Sequence, residues 1–89
     1  LDLTPWKLEF KPGWDAHLSK FDKPVREQIL KKLEQMKQPL TARGLKESAY
    51  RIEEAGQYRI GFIEDELNRV KKIHFVGNHK QYEKWYKSQ

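Results

Sequence analysis

The chain has no cysteine. That excludes a disulfide framework and any thiolate metal site, and it fits a reducing compartment such as the cytoplasm. No apolar run approaches the roughly 20 residues that span a bilayer. No signal-peptide pattern opens the chain, and its first residue is Leu1 rather than methionine, which leaves room for residues ahead of it. The three histidines lack metal-ligand spacing, so neither a metal nor a cofactor is expected. Repeats, low-complexity tracts and linkers are absent, and 89 residues fit one domain spanning 1–89. Such a domain buries roughly two thirds of the surface its unfolded chain exposes, so its stability margin is thin.

Basic residues, by contrast, are in excess. Eighteen Lys and Arg stand against 13 Asp and Glu, a formal charge of +5. That favours an acidic partner, either a phosphate backbone or an acidic protein segment, although a well-solvated surface gives the same balance. Seven of the eleven aromatics fall in the second half, mixed with basic residues. Base stacking combined with phosphate contact requires that mixture.

Lys7-Leu8-Glu9-Phe10 alternates polar and apolar and reads as a first strand. Trp14, Leu18 and Phe21 recur at helical spacing, which predicts a helix from Pro12 to about Phe21. A second helix runs from Pro24 to about Gln38, with Val25, Ile29, Leu33 and Met36 as its apolar stripe. The two form a helix hairpin that must lie on a sheet. Leu40 to Lys46 is a loop. Strands follow at about Ser48–Glu53, Gln57–Glu64 and Arg69–Gly77, with a tight turn at Ala55-Gly56. Lys80 to Ser88 reads as a short final helix. The expected class is α+β: an antiparallel sheet of about four strands on an N-terminal helix hairpin, with a short C-terminal helix. Alternation puts Tyr58, Ile60 and Phe62 on the core face, meeting Ile52, Ile73 and Phe75. Arg51, Glu53 and Arg59 then point to the exposed side.

This order of elements resembles the RelE/ParE superfamily of type II toxins. The resemblance is carried by Leu45-Lys46 with Tyr50-Arg51-Ile52, by Gly56-Gln57-Tyr58-Arg59-Ile60, and by Val76-Gly77-Asn78-His79-Lys80-Gln81-Tyr82. Residues 24–33 also look like the family's second helix, and the likeness spans about residues 7 to 86. It implies a RelE-like fold, a cognate antitoxin as partner, and one of two activities. RelE-like members cleave mRNA on the ribosome by 2′-OH attack without a metal, as hydrolase-type mRNA interferases that arrest growth. ParE-like members inhibit DNA gyrase. A non-catalytic RNA-binding relative is the third reading.

Cleaving RNA without a metal needs a base, a charge stabiliser and an acid. The resemblance implies that Arg59 binds the scissile phosphate, and guanidinium geometry suits that contact. The alternative is a surface arginine paired with Glu53 or Glu64. Arg51 matches a basic position near the nucleophile, where it can stabilise charge but serves poorly as a base. His79 follows a strand end, and imidazole gives or takes a proton at neutral pH. Tyr82 stacks on a base, meets the phosphate, or anchors the last helix. Arg43, Lys46, Lys71 and Lys80 are candidate contacts to the RNA backbone. His74 reads as structural. Glu53 departs from the family pattern, where some members carry a second basic residue. No arginine follows the last strand, so the chemistry centres on histidine.

Overall fold

The computed structural model describes residues 5–38, the backbone of residues 43–44, and residues 50–88. Five strands form one sheet in the order β1-β5-β4-β3-β2. They are β1 Lys7–Phe10, β2 Arg43–Gly44, β3 Arg51–Ala55, β4 Tyr58–Asp65 and β5 Val70–Asn78. Helix α1 is Lys23–Gln35 and helix α2 is His79–Lys87. The sheet is mixed rather than antiparallel, because β1 runs parallel to β5. Of the expected loop at Leu40 to Lys46, Arg43–Gly44 pairs with β3 and the rest lies outside the described residues, as do residues 45–49.

The first predicted helix is replaced by turns and a three-residue 3-10 segment, Leu18–Lys20, so there is no helix hairpin. The carbonyl of Trp14, which an α-helix would offer to the Leu18 N–H, accepts instead from Val76 N on β5 at 3.1 Å. Leu18 N turns to Asp15 O, and Ala16, Lys20 and Phe21 likewise bond three residues back. The apolar spacing nonetheless serves packing: Trp14, Leu18 and Phe21 lie half-buried against the core.

Helix α1 follows its predicted stripe. Pro24 sits in its first turn, where a missing N–H costs nothing. Ile29, Leu33 and Met36 pack on Ala55, Ile60, Phe62, Ile73 and Val76. Leu33→Ala at such a site costs about 2–5 kcal/mol.

Two register details decide which side chains face α1. Gly61 pairs with Phe75 and Phe62 with Ile73, so His74 is an extra residue bulged from β5. The bulge shifts the alternation by one. Ile73 and Val76 stay with the core, and Phe75, expected beside Ile73, turns to the opposite face. The hairpin is the second detail. Ala55 pairs with Tyr58, so the turn residues are Gly56 and Gln57, with Gly56 at φ 61. Opposite the inward Ile60 and Phe62 therefore stand Glu53 and Arg51, not Ile52. A one-residue difference in the turn inverts every side chain of β3.

The α1 face consequently holds charges, arranged in pairs. Arg51 pairs with Glu64, and Lys32 of α1 meets Glu53 at 3.5 Å. Lys71 is 1% exposed. Its ammonium lies 5.3 Å from the Trp6 ring and 5.5 Å from the Phe62 ring. Burial lowers its pKa, against the opposing pull of Glu64 and then Glu53. Among the described residues, no helix is long and apolar enough to cross a membrane.

Candidate catalytic and RNA-binding site

The face of the sheet away from α1 carries α2. Asn78 opens this helix with a reciprocal cap: Gln81 N donates to Asn78 Oδ1 at 2.9 Å, and Asn78 N donates to Gln81 Oε1 at 2.8 Å. The helix then lies across a floor of glycine and one aromatic ring, Phe75. A Cβ at Gly61 would come 2.8 Å from the Trp85 ring, and one at Gly77 would come 2.5 Å from Phe75. Trp85 stacks on Phe75 at 5.0 Å with planes 16° apart.

Arg59 projects onto this face beside α2. Its guanidinium sits 5.2 Å above the Tyr82 ring. Tyr82 is buried and stacks on Tyr86 at 6.0 Å. Burial raises the Tyr82 phenol pKa, the Arg59 charge opposes that, and Tyr86 adds to it. A guanidinium held over a ring by its charge does not spend its N–H donors on that contact, and a phosphate can meet them. Glu54 stands directly opposite Arg59 in the β3–β4 ladder, on the same face.

His79 is the first residue of α2, just past the end of β5, and is exposed. Its Nε2 lies 2.8 Å from Glu83 Oε1, one helical turn on. His79, Tyr82, Glu83 and Tyr86 share one side of the helix by their spacing. The fold therefore brings Arg59 and Tyr82 into contact, with His79 one turn along and Lys80 exposed beside it.

Two expected members are elsewhere. Arg51 faces α1, because the hairpin register inverts β3, and it belongs to the pair with Glu64. Lys71 is sealed beneath α1 and cannot reach an RNA backbone. Lys46 and the Arg43 side chain lie outside the described residues. Glu53, which alternation places outward, binds Lys32 on the inner side. Sequence reasoning missed Glu54 and Glu83. The four-residue spacing from His79 to Glu83 was a usable signal, whereas Glu54 needed the register.

No known family model matches the sequence, and neither does any curated protein sequence. Solved structures do match. The toxin–antitoxin complex RelBE2 from Mycobacterium tuberculosis gives a TM-score of 0.71 at 14% identity, covering 88% of this chain and 95% of that one. The isolated RelE toxin of E. coli gives 0.66 at 21% identity, covering 93% and 97%. The RelB–RelE antitoxin–toxin complex from Methanococcus jannaschii gives 0.67 at 16% identity, covering 88% and 98%. The chain has the fold of the RelE toxins.

Proposed function

We propose that this chain is the toxin of a toxin–antitoxin pair and an endoribonuclease that cuts mRNA on the ribosome without a metal. The observation that carries this reading is the set around Arg59: the guanidinium on Tyr82, Glu54 across the ladder, and His79 at the head of the same helix. Several of the structures it resembles are toxin–antitoxin complexes. The cognate antitoxin is the expected partner, and the cytoplasm, where mRNA is translated, is the site of action.

In this scheme Glu54 takes the proton from the 2′-OH. The 2′-oxygen attacks phosphorus, and the new O–P bond forms as the bond to the 5′-oxygen breaks. Arg59 offsets the charge that develops on the non-bridging oxygens. His79, with Glu83 against its Nε2 when the ring carries a proton there, protonates the leaving 5′-oxygen. Tyr82 holds the guanidinium in place. Lys80 supplies backbone contact. The products are a 2′,3′-cyclic phosphate and a 5′-hydroxyl.

Primer extension on translated mRNA after induction tests the reading. Wild type is expected to give in-frame cleavage sites, and His79→Ala to lose them, with a rate loss of about 10²–10⁴. Intact mRNA together with loss of DNA supercoiling activity would instead place the chain with gyrase inhibitors of this fold. Unimpaired growth on expression without a partner would sink both.

A further inference from the structure

On the other flank of α2 lies a cleft of about 520 Å³ that the Arg59 site does not use. It is lined by Gly13 and His17 from the turn segment, His74 from the bulge of β5, and Lys84 and Trp85 from α2. Nothing in the scheme above uses either imidazole. His17 Nδ1 is buried with no hydrogen-bond partner among the described residues, an expensive state for a ring nitrogen unless a ligand or water meets it. The His17 ring sits edge-on to Phe75 at 5.8 Å, and the His74 ring edge-on to Tyr50 at 5.2 Å. The surroundings are cationic. Lys11 and Lys72 both act on His74, and Glu9, the acid that acts on it among the described residues, is held by Lys11 at 3.2 Å.

We propose that this cleft binds one nucleotide of the single-stranded RNA that reaches the Arg59 site. The base enters between the turn segment and the Trp85 edge, the His17 ring turns so that its Nδ1, shut away in the free protein, meets the polar edge of the base, and the phosphate lies on Lys84. The volume suits a nucleotide, falling within the roughly 300–1,000 Å³ of small-ligand sites and exceeding what a bare phosphate needs. Apolar wall, aromatic edge and cation together are the means by which single strands are gripped. The bulge at His74 is what turns that imidazole and Phe75 toward this side of the sheet. The proposal rests on the endoribonuclease reading for the identity of its ligand.

The test is an NMR titration of the full chain with adenosine 5′-monophosphate, with inorganic phosphate in parallel. Saturable shifts of the His17 and His74 ring resonances are expected with the nucleotide and not with phosphate. Lys84→Ala and His17→Leu should each weaken binding by about three- to tenfold, because each removes one of several contacts. Unmoved His17 and His74 signals, or shifts confined to His79, would overturn the proposal, and so would equal shifts with phosphate alone. The two readings fail separately. A wild type that cuts ribosomal mRNA but leaves the cleft silent loses only the cleft. A cleft that binds the nucleotide in a protein that cuts nothing keeps the nucleotide site and loses the nuclease.

Discussion

The two faces of the sheet use the same residue types for opposite purposes. Beneath α1, charges neutralise one another: Arg51 with Glu64, Lys32 with Glu53, and Lys71 between two rings near both acids. Beneath α2 the floor is glycine and aromatic, and the polar groups line the flanks of the helix: Glu54, Arg59 and His79 on one side, His17 and His74 on the other. An arginine on the first face can only hold the fold together. An arginine on the second can meet a substrate. Arg51 and Arg59 face opposite sides of the sheet because of a two-residue turn, and under the proposed function that difference in side becomes a difference in role.

The sharpest way to break this comparison is to truncate the two arginines separately. Arg59→Ala should lower ribosome-dependent cleavage by about 10²–10³, the usual loss when one charge-stabilising donor is removed. Arg51→Ala should leave cleavage within about threefold and lower stability by about 1 kcal/mol, as expected for a partly exposed ion pair. Cleavage kinetics and urea unfolding on both variants decide it. If Arg51→Ala loses cleavage and keeps stability, the faces have been assigned the wrong way round.

Much of the fold was legible in the sequence. The α1 stripe, the first strand, three later strands and the last helix all follow from apolar period and turn residues. What was illegible depended on single-residue offsets. Alternation alone cannot see that His74 is bulged, so Phe75 was placed in the wrong layer. It cannot see that the turn is Gly56-Gln57 rather than Ala55-Gly56, so Ile52 was drawn into the core and Arg51 onto the surface. Hydrophobicity argued for Ile52 inside, and long-range pairing with β4 overruled it. The spacing of Trp14, Leu18 and Phe21 was real, but β5 took the Trp14 carbonyl that a helix would have needed. In the candidate site, the expectations for His79, Arg59 and Tyr82 rested on local motif. Glu54 could come only from knowing its partner across the ladder.

A smaller effect probes the floor under α2. Gly61→Ala puts a methyl against the Trp85 ring, whose nearest atom lies 2.8 Å from the ideal Cβ position. Relief requires the ring to slide off its stack on Phe75 or α2 to tilt with it. A cost of about 1–3 kcal/mol is expected. Amide exchange should speed up selectively in α2 while the α1 face keeps its protection. Uniform loss of protection would mean that the two faces are not separable units.

The smallest effect sharpens the other face. Lys71 is an ammonium held out of water, and burial depresses its pKa from the ordinary 10.5. The folded state therefore gives up its proton at lower pH than the unfolded chain does. Between the depressed folded value and 10.5 the unfolded chain binds more protons, so this residue makes stability rise with pH across that window. Below the window its full desolvation penalty opposes folding. Lys71→Met keeps the length and the contact with Trp6 and Phe62, removes the charge, and leaves Glu64 still paired with Arg51. The variant should be equal to or slightly more stable than wild type at neutral pH, within about 1 kcal/mol, and should lose the alkaline rise. RNA affinity should not change. A drop in affinity would return Lys71 to the RNA-binding set and contradict its burial under α1, while a strong loss of stability would show that Glu53 and Glu64 need the ammonium more than the rings do.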